Sequence, residues 1–155
     1  MHVPSPSKRQ IIVGITLTFA AFTLLRFLNR RTQPPENFRW ECGDSPNCAS
    51  SKDTRPDFLF TPLELKVSPA DALERARTIA RATPRWRLVS QTNSTLHFEV
   101  SSLIFGFVDD VTLEVDANAR VLHLKSASRV GYSDLGQNRR RLQAFAEAWN
   151  RRIIP

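Results

Sequence analysis

The chain has 155 residues, enough for one domain of ordinary size, and 41% of them are hydrophobic, including three Trp and ten Phe that can build a core. Its formal net charge of +7 would be typical of a nucleic-acid-binding protein if it were spread over the domain. Residues 1–35 carry five basic and no acidic residues, however, so residues 36–155 are close to neutral and we expect no nucleic-acid partner.

An apolar stretch follows the short basic N-terminus of residues 1–10. Residues 11–25 (IIVGITLTFAAFTLL) carry no charge, and two apolar residues extend the stretch past Arg26, whose side chain can reach the lipid headgroups. As a helix, residues 11–28 would span about 27 Å, just under the ~30 Å hydrocarbon core of a bilayer. A cleaved signal peptide is the competing interpretation, but no small-x-small site follows the stretch. We therefore expect a retained, single-pass transmembrane anchor helix over residues 11–28.

The compartment of the rest of the chain depends on this anchor. Basic residues lie on both sides of it in nearly equal number, so the positive-inside rule does not decide its orientation. Residues 29–41 are basic and Pro-rich and predict a linker, and residues 42–155 predict one soluble domain. Cys42 and Cys48 would close a small disulfide loop if this domain is exported, and they would be two thiols in the cytoplasm.

The first elements of the domain can be read from its turn and cap residues. Residues 57–67 (DFLFTPLELKV) have β-type composition, but Pro62 confines the strand to an edge or divides it. Ser68 and Asp71 predict the start of a helix, with Ser68 as the cap and Asp71 completing a variant of the capping box. Apolar residues then recur at helical spacing until Pro84 marks the end.

The second half of the domain alternates apolar and polar residues with a period of two, which predicts antiparallel strands with one solvated face. The expected strands are residues 85–91, 95–101, 110–116 and 121–127. A last helix is expected over residues 136–152, with Asp134 as its N-cap. These elements predict an α+β fold: a two-layer antiparallel meander sheet covered by two helices and preceded by the transmembrane helix.

The segment that joins the last strand to the last helix is the first candidate site. A helix N-terminus presents free N–H groups and a partial positive charge, so it can bind a phosphate, a carboxylate or an acidic headgroup. The predicted ligand-binding residues are Ser128, Arg129, Tyr132, Asp134, Asn138 and Arg139. The alternative is structural: Arg129 would form an ion pair with Asp109, Asp110 or Asp134 and pin the loop to the sheet. Arg140 and Arg141 are expected to face solvent.

Asp109 and Asp110 are the second candidate site, as a base for acid–base catalysis. Adjacent residues of a strand point to opposite faces, so the two carboxylates form no close pair unless a bulge at Gly106 turns one of them. Tyr132 and Ser128 would assist. The histidines and cysteines do not have the spacing of a zinc site, and we expect no metal and no cofactor.

Three segments carry a resemblance to a known family. CGDSPNCASS, FGFVDDVTLEVD and SASRVGYSDLGQNRRRL together span about Cys42 to Leu142. In these segments the chain resembles the bacterial and plastid family catalogued as domain of unknown function 1499. The resemblance implies that members are commonly membrane-anchored or exported, which favours a periplasmic or exported domain, although a cytoplasmic one stays open.

Three functions remain in competition. The first is a non-enzymatic, membrane-anchored domain of the cell envelope that binds an anionic small molecule or a partner protein. The second is an envelope hydrolase or transferase that uses Asp109 or Asp110, which requires these side chains and Tyr132 to converge in one cleft. The third is a structural assembly factor, which would expose an apolar patch.

Overall fold

A computed structural model describes residues 8–30 and 38–151 of the chain. The predicted basic N-terminus falls largely outside these residues, and so do most of the predicted linker and the last four residues of the domain. The described residues form three helices and six strands. In chain order they are α1 (Lys8–Arg30), β1 (Cys48–Ser50), β2 (Leu63–Glu64), α2 (Pro69–Ala82), β3 (Trp86–Gln91), β4 (Thr95–Ser101), β5 (Val108–Asp116), β6 (Val121–Ser128) and α3 (Gln137–Asn150).

The apolar N-terminal stretch forms α1, a helix of 23 residues that begins and ends beyond the predicted limits of 11 and 28. Several large apolar side chains of α1 are exposed, among them Ile15, Leu17 and Phe19. Within the residues that the structure describes, no helix combines the length and the apolar character that a membrane span requires.

The sheet is an antiparallel meander, as the alternating sequence predicts. Strands β3, β4, β5 and β6 pair in chain order, and β1 adds to the far side of β6 to give the order β1-β6-β5-β4-β3. Strand β2 also pairs with β6. The α+β class and the antiparallel sheet are therefore confirmed.

One strand was not predicted, and one predicted strand is divided at Pro62, which was one of the two expected alternatives. Residues 48–50, for which no strand was predicted, form β1 because their backbone pairs with residues 125–127 of β6. Pro62 divides the predicted strand of residues 57–67: Leu59 makes an isolated bridge to Ser50 before it, and β2 follows it. Proline has no N–H to donate to a ladder, which explains the interruption.

Helices α2 and α3 pack on one face of the sheet. The Oγ of Ser68 accepts a hydrogen bond from the backbone N–H of Asp71 (3.2 Å) and donates one to the Asp71 carboxylate (2.6 Å), so the predicted cap of α2 is confirmed. Helix α3 differs slightly, since Gly136 occupies the N-cap position with a left-handed backbone (φ 77°). Asp134 caps this helix from two residues earlier.

The core lies between the two helices and the inward-facing side chains of the strands. Phe98 on β4, almost fully buried, contacts Trp86 edge to face with ring centroids 5.5 Å apart. Trp86 stacks on Phe145 of α3 at 5.8 Å, and Phe145 stacks in turn on Trp149 at 6.5 Å. This row of aromatic rings joins the end of the sheet to α3.

The outer face of the sheet is polar but only partly open. The segment before β1 crosses it: Trp40 packs edge to face on His123 at 6.0 Å, and the Nζ of Lys125 donates to the carbonyl oxygen of Glu41 (2.9 Å). Cys42 and Cys48 form a disulfide bond in this segment. Asp53, buried beside it, accepts a hydrogen bond from the backbone N–H of Cys42 (2.7 Å).

Substitution of Phe98 tests this core. We expect Phe98→Ala to lower the free energy of unfolding by about 3–5 kcal/mol, because it removes buried area and leaves a cavity beside Trp86. Val89→Ala, at an exposed position of the neighbouring strand, should change it by less than about 0.5 kcal/mol. Denaturant unfolding of the full-length chain, followed by circular dichroism, measures both; equal losses would contradict this packing.

Candidate functional site

The start of α3, predicted as an anion site, is occupied by the chain's own carboxylate. Asp134 accepts hydrogen bonds from the backbone N–H groups of Gly136 (2.8 Å) and Asn138 (2.6 Å). A carboxylate is the group that a helix N-terminus stabilises best, since the free N–H groups and the helix dipole both favour negative charge. The N–H groups expected to meet a ligand are therefore used inside the fold.

Asn138 lies beneath this cap and is fully buried. Its side-chain N–H groups donate to the backbone oxygen of Asn47 (2.7 Å) and to the Oγ of Ser128 (2.9 Å). Its side-chain oxygen accepts from the Oγ of Ser126 (2.6 Å) and from the guanidinium of Arg141 (2.6 Å). With these bonds every polar atom of the Asn138 side chain is satisfied, so Asn138 joins α3, β6 and the segment before β1.

Arg141 was expected to face solvent, and this prediction was wrong. Its side chain is only 10% exposed and forms an ion pair with Asp109 of β5 at 2.5 Å. It also donates to the Oγ of Ser126 (2.8 Å). The inward position of Asp109 explains the difference, because a buried carboxylate requires a partner and α3 passes over it.

Arg129 lies on the outer face of the sheet, away from α3. Its side chain is 3% exposed and forms hydrogen-bonded ion pairs with Asp110 (2.7 Å) and Glu99 (2.6 Å). Arg87 also pairs with Glu99, and the Nε2 of His97 lies 3.1 Å from Asp110. The structure thus has the structural alternative, in which Arg129 forms an ion pair with Asp110 and holds its loop against the sheet.

These contacts shift the pKa values of Asp110, Glu99 and Arg129. Burial alone would raise the pKa of Asp110, but hydrogen bonds from Arg129 and His97 outweigh it and hold the pKa below its usual range. The pKa of Glu99 is lowered in the same way, against burial, by Arg129 and Arg87. The hydrogen bond to Asp110 raises the pKa of Arg129. All three groups are ionised at neutral pH.

The two adjacent carboxylates point to opposite faces of β5, as the strand period predicts. Asp109 faces α3 and pairs with Arg141, and Asp110 faces outward and pairs with Arg129. Neither has the features of a general base near neutral pH, since each is engaged by a guanidinium and the pKa of Asp110 is lowered. Tyr132 is 77% exposed in the loop before α3 and lines a different cavity from Asp109.

That cavity, of about 480 Å³, collects three of the predicted ligand-binding residues: Tyr132, Asp134 and Arg139. Two further acids, Asp44 and Asp57, also line it. The guanidinium of Arg139 donates to the backbone oxygens of Leu59 (3.0 Å) and Asp57 (2.7 Å), so it fastens the turn of residues 57–59 to α3. Three carboxylates against one engaged guanidinium do not favour an anion here.

A larger cleft, of about 680 Å³, lies at the other side of α3. Its walls are the β4–β5 loop (residues 102–107), the turn between α2 and β3, and the first half of α3. Most of the lining is apolar, and the Asp109–Arg141 pair lies within it. An apolar cleft of this size with a few polar groups is the usual form of a small-molecule site.

Two arginines give this cleft an excess of positive charge. Arg85 and Arg140 both line it and both are exposed, and neither has an acidic partner among the described residues. Arg140 donates to the side-chain oxygen of Gln137 (3.2 Å), which is neutral. Asp109 and Asp134, the acids of the cleft, are already engaged by Arg141 and by the N–H groups of α3. The cleft therefore suits an anion better than a cation.

The backbone around the cleft is held in unusual conformations. Arg85 (φ 69°) and Leu135 (φ 53°) have left-handed backbones, which are uncommon for residues other than glycine, and both line the cleft. The side chain of Leu135 is moreover 83% exposed. Strained conformations of this kind collect at binding sites, where the surrounding structure keeps them in place.

On the outer face of the sheet a serine contacts a histidine, and the same histidine lies near an aspartate. The Oγ of Ser51 lies 3.1 Å from the Nδ1 of His123, and the Nε2 of His123 lies 3.9 Å from Asp116. The hydroxyl of Ser51 is buried and accepts a hydrogen bond from the backbone N–H of Leu124 (2.9 Å), so it is not presented to a substrate as a nucleophile. Among the described residues no three potential metal ligands are grouped.

Comparison with known proteins identifies a family. The model of the family described as "Protein of unknown function (DUF1499)" matches residues 40–149, most of the chain. The chain belongs to this family. The resemblance seen in the three sequence segments is thereby confirmed. Neither the curated proteins nor the solved structures include a match to this chain.

Of the residues that line the larger cleft, the sequence pointed to Asp109 and Asp134 but not to Arg85, Arg140 or the β4–β5 loop. Arg85 and Arg140 look like ordinary solvated arginines, and residues 102–107 look like a loop between two strands. One signal was available: SLIFGF places four large apolar residues in a turn, where polar residues are usual.

Removal of Arg129 tests its structural role. We expect Arg129→Ala to lower the free energy of unfolding by about 3–5 kcal/mol, because Asp110 would keep its charge in a largely buried place with only His97 beside it, and Glu99 would keep only the exposed Arg87. Arg87→Ala removes an exposed partner of the same Glu99 and should lower it by at most about 1 kcal/mol. Denaturant unfolding measures both, and a folded Arg129→Ala variant of unchanged stability would contradict the account.

The lowered pKa values predict how stability depends on pH. A carboxyl whose pKa is lower in the folded than in the unfolded chain stabilises the fold above its unfolded pKa of about 4. This stabilisation is lost as the pH falls through the folded value. We therefore expect unfolding at acidic pH, with a smaller decrease of stability below about pH 4 in Asp110→Asn than in the unsubstituted chain.

Glu147→Gln is the control for this pH series, because Glu147 is exposed on α3. Its pH dependence should match that of the unsubstituted chain. The test is the free energy of unfolding of each variant, measured between about pH 2 and pH 6. If this free energy has the same slope against pH in Asp110→Asn and in the unsubstituted chain, Asp110 gains no stabilisation from Arg129.

Proposed function

We propose that this chain is a non-enzymatic, membrane-attached binding domain of the cell envelope, and that an anionic ligand binds in the cleft between the β4–β5 loop and α3. The observation that carries the proposal is the pair Arg85 and Arg140 at an apolar cleft whose acids are already engaged. The ligand proposed here is anionic, as in the sequence-based prediction, but the proposed binding site is the cleft next to α3 and not the start of α3.

Attachment to a bilayer through residues 11–28 is supported by α1. Its described part exposes six large apolar side chains, Ile15, Leu17, Phe19, Leu24, Phe27 and Leu28. The sequence around it has basic but no acidic residues. Such a helix lowers its free energy by placing these side chains in lipid, with its arginines at the headgroups. The Cys42–Cys48 disulfide favours the periplasmic or exported side, because thiols stay reduced in the cytoplasm.

A binding role is favoured over a hydrolase or transferase by the state of the candidate catalytic groups. Asp109 and Asp110 lie on opposite faces and each is paired with an arginine. Tyr132 does not line the cleft that contains Asp109. The groups that an acid–base mechanism would bring together are therefore dispersed.

An anion titration tests the cleft. We expect inorganic phosphate to shift the amide resonances of residues 83, 85–87 and 134–141 in nuclear magnetic resonance spectra of the isotope-labelled full-length chain. The double variant R85A/R140A should weaken this binding by about tenfold or more, since it removes two charge-assisted contacts to the anion.

The matched control is K66A/R151A, which removes two exposed cations that do not line the cleft and should leave the titration unchanged. Shifts confined to residues 129–133 and insensitive to Arg85 and Arg140 would contradict the proposed place. No saturable shift at all with phosphate would contradict an anion site in this cleft.

A further inference from the structure

We infer that the anionic ligand is a lipid of the bilayer itself, an anionic phospholipid whose acyl chain lies along the β4–β5 loop and whose phosphate meets Arg85 and Arg140. The inference rests on the proposed function of the cleft and goes one step further, because it names the class of ligand and the route by which it arrives.

The β4–β5 loop presents apolar side chains on a turn that is closed by hydrogen bonds. Ser102 and Phe107 close it by two hydrogen bonds: the Ser102 N–H donates to the Phe107 oxygen (2.8 Å), and the Phe107 N–H donates to the Ser102 Oγ (2.9 Å). At its tip Leu103 is 68% and Ile104 is 59% exposed. A closed turn that holds large apolar side chains in water is costly, so an exposed patch of this kind marks a contact with an apolar partner.

The loop continues the apolar surface of α1. The rings of Phe105 and Phe22 meet edge to face with centroids 6.5 Å apart. Gly106 has a left-handed backbone (φ 70°), and a methyl group on it would lie 3.2 Å from the backbone oxygen of Arg26. The absence of a side chain at Gly106 therefore allows this approach. A bilayer that receives α1 meets the β4–β5 loop at the same surface.

The interior of the cleft is apolar and lies directly behind this loop. Phe107 and Val100 line it on the side of the sheet, and the stacked rings of Trp86 and Phe145 line it towards α3. An acyl chain that leaves the bilayer along the loop thus meets an aromatic wall. This lining is unsuited to a small hydrophilic anion alone, which would leave the apolar surface in contact with water.

The charge of the cleft selects the headgroup. Arg85 and Arg140 lie at the cleft without acidic partners among the described residues, so together they supply two positive charges for one phosphodiester. Guanidinium groups bind phosphate oxygens through paired hydrogen bonds. A zwitterionic lipid places a choline or amine beside its phosphate and gains less from this site, so we expect a preference for anionic lipids.

Trp86 provides the measurement, because it lines the cleft and its fluorescence is quenched by brominated acyl chains. The full-length chain is reconstituted in phosphatidylcholine vesicles that carry a minor fraction of phosphatidylglycerol with brominated chains. We expect saturable quenching that is absent in Trp86→Phe, and that is much weaker when the same fraction of phosphatidylcholine is brominated instead.

Two pairs of variants give the controls. R85A/R140A should raise the fraction of phosphatidylglycerol needed for half-maximal quenching by roughly 10- to 30-fold, whereas K66A/R151A should not change it. L103S/I104S should reduce the quenching of Trp86, whereas Val89→Ser, an exposed apolar position outside the cleft, should not.

The outcomes separate this inference from the proposed function. Equal quenching by both brominated lipids would show that the loop touches lipid without selecting a headgroup, and would overturn the inference. If quenching is absent but phosphate binding depends on Arg85 and Arg140, the inference of a lipid ligand is overturned and the proposed anion site stands. Absence of both would overturn the two proposals together.

Discussion

The arrangement of this domain depends on two adjacent carboxylates that face in opposite directions. Asp109 and Asp110 follow each other on β5, and the strand period sends one towards α3 and the other to the outer face. Each receives an arginine from the segment that begins at the end of β6: Arg129 crosses to Asp110, and Arg141 reaches Asp109 from α3. One short stretch of chain is thus fixed to both faces of the sheet.

This double attachment decides what the remaining polar groups can do. Since Arg129, Arg141, Asn138 and Asp134 are engaged with one another or with the sheet, the segment expected to bind a ligand is used to hold α3 in place. The same attachment keeps the start of α3 beside the β4–β5 loop and forms the apolar cleft between them. Arg85 and Arg140 remain as cations without acidic partners in the described part of the chain. This excess of positive charge is the reason for proposing an anionic ligand in the cleft.

The sequence predicted the elements whose signals are local. The meander follows from alternation along β4, β5 and β6, and the cap of α2 follows from the spacing of Ser68 and Asp71. Strand β1 was missed because its turn-forming residues are extended only by pairing with β6, far along the chain. The burial of Arg141 was missed for a similar reason, since on α3 alone it resembles a solvated arginine and only the position of Asp109 gives it a partner. The cleft is a product of tertiary packing and has no signature in one segment.

The most direct test of this account is a double-mutant cycle between Asp109 and Arg141, measured by denaturant unfolding of Asp109→Asn, Arg141→Met and the combined variant. If the pair attaches α3 to β5, each single substitution should cost about 3 kcal/mol or more, and the combined variant should be little worse than either, because the first change already leaves the second group without a partner. Costs that simply add, with a coupling free energy near zero, would contradict the claim that this ion pair holds the segment and the cleft in place.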